Sequence, residues 1–442
     1  MIDDLLEYID QATYLSWRAT GRAQVMQCIW VYRNPVDMED LHRFHRDFGY
    51  GLAGRLIEPS VLPFGRHRWV AAKGPAAPLD VDEVRPPSEL GAWIEARSQR
   101  PVDPVHGPGW HLGVLPMSDG SSAITLVISH CLVDGGGAAL RVFEAVHGVK
   151  PEFGYRPPGS RKRLTALSAD ARQVARDLPE FGRTVAKAVR FAARRRAAIS
   201  SSRRARSRAV EVADDPVTIP AVSAVVDVED WDARAESLGG TGYSLFAAFS
   251  AKLGERLGRV SQSDGTVTLL IAVSDRGLDD RRANAMKMAN ATIDPATVTS
   301  DLSATRTAVR AALSAVRGVP DETHALLPIT PFVPRRAVRG TVDVVFGELP
   351  VSCSNLGDVP IEIARLDGTD AEYVVCRALD QNVTRTAVER AGGQLVVAAG
   401  RVVGTMSIGV VGYQVGAENS REWLSDQVIQ TLAYFDLKGV II

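Results

Sequence analysis

Apolar residues recur along this chain in two rhythms, one of near-continuous β-type runs and one with helical spacing, and the two alternate for most of its length. Arg22 to Asn34, "RAQVMQCIWVYRN", is rich in β-branched and aromatic residues and predicts a strand. The stretch "PVDMEDLHRFHRDFGYGL" predicts a helix: Asp37 can cap it, Glu39 and Asp40 fall in its first turn, and Leu41, Phe44 and Phe48 keep helical spacing. A short strand at His67 to Ala72 follows, then a helix opening at Ser88. Two strands joined at Asp119-Gly120 and a helix over "GAALRVFEAVHG" complete a mixed α/β pattern to about residue 150.

The middle of the chain breaks this rhythm. Leu167, Val174, Leu178, Phe181, Val185 and Val189 fall at helical spacing, with Arg172, Arg176, Arg183, Lys187 and Arg190 mostly between them. The pattern predicts a basic amphipathic helix that restarts at Pro179. Ala198 to Pro216 loses the apolar stripe and reads as loose chain. From Val217 the α/β pattern returns, with a long helix at "TGYSLFAAFSAKLGERLGR" and an apolar strand ending at Asp275-Arg276. Strand signals end in a turn at "SNLGD", a strand pair follows, and a helix closes the chain. The expected organisation is an N-terminal lobe over 1–154, a partly flexible basic helical connector over 155–216 and a C-terminal lobe over 217–442.

Composition narrows the class. With 45% hydrophobic and 23% charged residues the 442-residue chain has a globular balance and room for more than one core. Cys28, Cys131, Cys353 and Cys376 lie far apart without C-x-x-C spacing, which argues against a zinc site and a disulfide scaffold and fits a reducing compartment. The acidic start has no signal-peptide pattern, and no long uncharged apolar run occurs, so the expected location is the cytoplasm. The net charge of −1 conceals a basic belt: Arg156 to Arg208 carries 16 Lys/Arg against 3 Asp/Glu. The belt has three readings: a solvated connector, a peripheral contact with the inner membrane face through residues 160–208, or a dock for an acidic carrier protein or coenzyme A phosphates. Nothing in it forms a recognisable nucleic-acid-binding pattern.

The chemically suggestive stretch is "VISHCLVDGGG", Val127 to Gly137. A continuous apolar strand stops on His130, and Asp134 with three glycines follows. An imidazole at the end of a rigid strand can face a cleft and take a proton near neutral pH. On pattern alone the plainer account is stronger: a hydrogen-bonded structural histidine followed by an ordinary turn. No G-x-S-x-G elbow accompanies it, and no second histidine stands at metal-ligand spacing. Cys131, pointing away from His130 by strand alternation, reads as a packing residue.

The stretch "SHCLVDG" resembles the H-H-x-x-x-D-G motif of the acyltransferase superfamily that includes chloramphenicol acetyltransferase, peptide-synthetase condensation domains and bacterial wax ester synthase/diacylglycerol acyltransferases. The surroundings resemble the last branch in order, from "DQATYL" through "LGGTGYSLFAAFSAKLGERL", "IAVSDRG", "RANAMKMANATI" and "PVSCSNLGDVP" to "GTMSIGVVGYQVG". There are departures. Ser129 replaces the first motif histidine, Tyr243-Ser244 stands where that branch has Asn-Asp, and Asn355 is followed by Leu356-Gly357-Asp358.

The resemblance implies two similar mixed-sheet α/β lobes with a channel between them, open at both ends. It implies acyl transfer from a thioester, acyl-CoA or an acyl carrier protein, to an alcohol, with His130 as general base and no metal or redox cofactor. Amide formation from carrier-bound acyl groups and a catalytically silent acyl- or carrier-binding relative are the alternatives. Asp134 is implied to pair with Arg276 and hold the loop, with Gly135 completing the structural motif. Backbone N–H groups of Gly135 to Gly137 are candidate oxyanion donors. Ser129, Ser354 and Asn355 are candidate substrate contacts, although Ser-Asn-x-Gly is also ordinary turn chemistry.

Overall fold

The computed structural model describes residues 4–194, 215–318, 324–333 and 349–442. The N-terminal half builds a mixed sheet on β1 (Ala23–Tyr32), β4 (Asp80–Val81), β5 (Trp110–Pro116) and β6 (Ser122–Ser129), while β2 (Arg55–Glu58) and β3 (Arg68–Ala71) form a separate hairpin. Helices α1 (Tyr8–Thr20), α2 (Met38–Phe48), α3 (Leu90–Ser98) and α4 (Gly135–Val146) belong to this half. Asp37 caps α2 by accepting from the Glu39 and Asp40 amides. Leu41, Phe44 and Phe48 bury against Trp110 and the apolar face of β1 and β6, so the helical spacing becomes a packed seam.

The second sheet has seven strands in the order β14-β7-β13-β12-β10-β8-β9. They are β7 (Ala221–Asp227), β8 (Val267–Ser274), β9 (Met286–Ile293), β10 (Val351–Asp358), β12 (Gln394–Val402), β13 (Thr405–Tyr413) and β14 (Val440–Ile441). β8, β10 and β12 run parallel and their other neighbours antiparallel. Helix α7 (Gly242–Arg256) lies in this core with Leu245, Phe246, Phe249 and Leu253 buried. Its start explains the Tyr243-Ser244 departure: Ser244 closes a capping box, accepting from the Thr241 amide at 2.7 Å while Thr241 Oγ accepts from the Ser244 amide. Helices α6 (Val228–Ser237), α8 (Ser303–Gly318), α9 (Arg385–Arg390) and α10 (Arg421–Ala433) complete this half.

Strand β11 (Tyr373–Gln381) belongs to the C-terminal half of the chain but pairs antiparallel with β1, at the edge of the first sheet. The lobe boundaries read from sequence give no hint of this crossover. Its register sets Cys28 opposite Cys376, with Cα atoms 4.2 Å apart and the sulfurs joined as a disulfide. The spacing that argued against a disulfide scaffold gave no sign of this pair: it says nothing about two residues brought together by a strand arriving 348 positions later.

The basic segment also differs from expectation. Helix α5 (Arg163–Arg194) runs unbroken through Pro179. Pro179 lies on the exposed side, where the carbonyl that loses its partner can bond water. The helix docks by Ala166, Asp170, Asp177 and Thr184, all buried, rather than by Leu167, Leu178 and Val185, which are exposed. Asp170 accepts from Ser60 Oγ at 2.8 Å and Arg161 at 2.9 Å, and Phe181 packs on Phe332 of the 3-10 segment His324–Phe332. The loose chain expected over 198–216 lies almost wholly outside the described residues, as do the side chains of Val189 and Arg190 and most of the strand signals before Leu349.

Candidate active site

Strand β6 carries Ser122 to Ser129 fully inside the first sheet, and the chain turns at His130, whose amide donates to Gln24 O at 2.9 Å. The ring is half-buried, with Nδ1 sealed and without a hydrogen-bond partner among the described residues. Nε2 is therefore the nitrogen left to open space. Ser129 is buried, and its Oγ accepts from the Cys131 amide at 3.3 Å. This bond lets the Ser129 hydroxyl support the loop that follows His130. Burial pushes the Cys131 thiol up to about 12, which keeps it protonated and unreactive.

The glycines do not make the ordinary turn that the pattern alone suggested. Asp134 is the N-cap of α4 and Gly135 to Gly137 form its first turn. Their value is close approach. A Cβ on Gly137 would stand 2.6 Å from Val133 Cγ2, and one on Gly135 3.3 Å from Leu356 Cδ2. Gly137 N–H is used up by Asp134 Oδ1 at 2.7 Å, so it is no oxyanion donor. The Gly135 and Gly136 amides make no hydrogen bond among the described residues, as expected of the first turn of a helix.

Asp134 receives Arg276 from the end of β8 in a two-point contact, Nε to Oδ1 at 3.1 Å and Nη2 to Oδ2 at 2.9 Å, with side chains only 7% and 6% exposed. The Ala285 amide donates to Oδ2 at 2.7 Å, so the carboxylate is fully partnered. The remaining guanidinium donors go to the carbonyls of Asp280, Arg282 and Ala283.

A second clamp was not foreseen. Buried Asp10 on α1 accepts from the amides of Ala283 at 2.9 Å and Asn284 at 2.8 Å, and from Asn284 Nδ2 at 3.2 Å. The Asn284 side chain also reaches His130 O at 3.4 Å. Burial raises the Asp10 carboxyl to about 6, against the pull of these donors and of Arg55. Arg55 lies 3.6 Å from the Trp69 ring centre and donates to the carbonyls of Leu132 and Arg281, tying both sides of the loop. The "DQATYL" resemblance was the only sequence signal near Asp10.

Ser354 and Asn355 lie on β10, and neither hydrogen-bonds His130. Register sets Ser354 between Ala272 and Ala398, with Met288 next in the row, on the face opposite the buried Cys353 and Ile271. Two residues along that face, Ser274 approaches Gly136. Asn355 Oδ1 accepts from the Gly357 amide at 2.8 Å, the turn-capping role. A cavity of about 330 Å³ opens beside Asn284 and Met286, lined also by Tyr8, Arg183, Lys187 and Leu327.

No protein-family model matches the chain and no curated protein matches it. Solved structures do. A wax ester synthase/diacylglycerol acyltransferase from Marinobacter aquaeolei VT8 aligns over 98% of both chains at 14% identity, with a TM-score of 0.58. The first condensation domain of the CDA synthetase aligns over 99% of both at 12% identity and 0.58. The chain has the chloramphenicol acetyltransferase-like fold. The TRI3 trichothecene 15-O-acetyltransferase from Fusarium sporotrichioides shares it over 98% of this chain and 94% of its own, at 12% identity and 0.57. Within this fold, His130 sits where the first sheet meets the ends of the parallel strands β8 and β10, and Arg276, just past β8, and Leu356 on β10 reach its loop.

Proposed function

We propose that the chain is an acyltransferase that moves an acyl group from a thioester, acyl-CoA or an acyl carrier protein, to an alcohol, with His130 as general base. The observation that carries this reading is the mounting of His130: a half-open ring at the end of a buried strand, on a loop gripped by the Asp134–Arg276 pair and by Asp10 through Asn284. Such rigidity keeps a base at one point relative to a bound substrate. The acceptor O–H gives its proton to Nε2 as oxygen attacks the thioester carbonyl. Collapse of the tetrahedral oxyanion breaks the C–S bond, and the thiolate recovers the proton from the imidazolium. The unused Gly135 and Gly136 amides, at the positive end of α4, are the donors for the oxyanion. A peripheral membrane contact through the basic segment belongs to this reading as the route of a lipophilic substrate.

A catalytically silent relative is the competing reading, and the unpartnered Nδ1 favours it, because nothing holds the ring proton there. Incubation with acyl-CoA and a panel of alcohols, measuring free thiol, separates the two. Release that falls at least about 100-fold in His130→Ala supports the enzyme. No release from the folded wild-type protein with any CoA or carrier-bound donor sinks it.

A further inference from the structure

One face of the second sheet is left partly open in its middle. β12, β10 and β8 are inner strands of that sheet, and their far face is buried through Val397, Cys353 and Ile271. On the near face Ala398, Ser354 and Ala272 stand side by side in register, and all three are partly exposed. Ser352, two residues back on β10, is partly exposed as well. The row has walls. On one side Ala398 pairs with Gly409 of β13, over which β11 crosses: a Cβ on Gly409 would stand 2.6 Å from the Cys376 carbonyl oxygen. On the other side the row ends at Met288 of β9. At the C-terminal ends of β8 and β10, Ser274 and Leu356 close on Gly136 and Gly135, at the start of α4 beside the His130 loop. The row is thus the floor of a recess three strands across, about 10 Å, next to the candidate base.

Parallel strands usually carry large apolar side chains on both faces, and these fill the space between layers. Here three adjacent strands present two methyl groups and a hydroxymethyl, which leaves the space for a ligand. The Ser354 and Ser352 hydroxyls make no hydrogen bond among the described residues, so each can both donate to a ligand and accept from it. A straight alkyl chain is gripped by a groove about one side chain wide. Across a floor of this breadth it would leave alanine and methionine surface in water. A fused ring covers that breadth, and further hydroxyls on the ring answer the two serines. We infer that the recess seats the acceptor, and that the acceptor is a broad, ring-built alcohol carrying additional hydroxyls. Ala272 and Ala398 set the room for its rings, and Ser354 and Ser352 bond its other hydroxyls. That the ligand is the acceptor rests on the acyl-transfer reading, because the alcohol must bring an O–H to His130. The fit of a ring to the recess does not.

The test is equilibrium dialysis of the full chain, without any acyl donor, against two probes matched in carbon and hydroxyl count: a decahydronaphthalenediol and 1,10-decanediol. The ring diol is expected to bind about tenfold or more tighter. Ala272→Leu and Ala398→Leu raise the floor. Each is expected to weaken the ring diol about tenfold or more and the straight diol less than about threefold. Melting curves identify a leucine variant that fails to fold. The smaller change, Ser354→Ala with Ser352→Ala, adds no volume. It is expected to weaken the ring diol about fivefold or more and to leave the corresponding ring mono-alcohol within about twofold. No binding of the ring diol overturns the inference, as does equal or tighter binding of the straight diol. Ring-diol binding that none of the folded variants changes overturns it too. Because no donor is present, the two proposals fail separately. A wild type that binds the ring diol but releases no thiol from any donor ends the acyl-transfer reading and keeps the ring-shaped recess. Thiol release with straight-chain alcohols alone does the reverse.

Discussion

Two buried carboxylates hold one short segment, Asp134 at the Ala285 amide and Asp10 at the amides of Ala283 and Asn284, in different electrostatic settings. Asp134 meets a guanidinium in a two-point contact and two amide donors. Asp10 meets only neutral donors directly, with Arg55 acting at longer range, and burial raises its carboxyl to about 6. Amide donors can position a buried carboxylate, but a neighbouring full charge is what compensates its lost hydration. The two clamps thus hold one loop, and they should respond differently to mutation and to pH.

The largest effect should come from breaking the charged clamp. Asp134→Ala, leaving the Arg276 charge buried without its counter-charge, is expected to cost about 3–5 kcal/mol in denaturant unfolding. The double variant with Arg276→Ala should cost less than the sum of the two single changes. Additive losses would mean the pair is not a unit. Asp10→Ala should cost less, about 1–3 kcal/mol, since it strands neutral amide donors instead of a charge. In the folded fraction of Asp10→Asn, kcat for thiol release should fall while KM holds, because Asp10 acts on His130 only through Asn284.

The pH response sharpens the contrast. With its carboxyl raised from 3.8 to about 6 in the fold, Asp10 keeps a proton that the unfolded chain has lost. Its contribution to stability is therefore full below about pH 4 and is lost as pH rises through about 6, an effect on the order of 3 kcal/mol. Unfolding curves across that range should show the slope in wild type and a flatter line in Asp10→Asn. An unchanged slope would assign it to another group. The smallest effects belong to the glycines beside Asp134. Gly137→Ala should cost about 1–3 kcal/mol by collision with Val133. Gly136→Ala, whose Cβ meets nothing closer than 3.7 Å, should be neutral or gain up to about 1 kcal/mol.

Parts of this site could be read along the chain. His130 at a strand end followed by Asp134 stands out within eight residues, and the match in order of the flanking segments pointed to Arg276. Asp10 could not be read, because an acid near the start of a chain looks like any solvated acid until Ala283 and Asn284 arrive to bond it. The crossover strand was equally hidden. "YVVCRALDQ" carries Arg377, Asp380 and Gln381, which look like loop residues. They are buried because Gln27 accepts from Arg377, Arg22 pairs with Asp380, and the carbonyls of Ser98 and Arg100 accept from Gln381. On α5 the apolar spacing was visible, but spacing does not say which face is covered.

Sequence by itself determined what depends on near neighbours: alternating strands and helices, the Asp37 cap, the basic helix, and the histidine at the end of β6. Tertiary structure decided what depends on distant partners: the disulfide between Cys28 and Cys376, the strand lent to the first sheet, the clamp from Asp10 and the side of α5 left bare. Periodicity is a local property of a chain, whereas burial and the satisfaction of a buried charge are properties of the whole packed molecule.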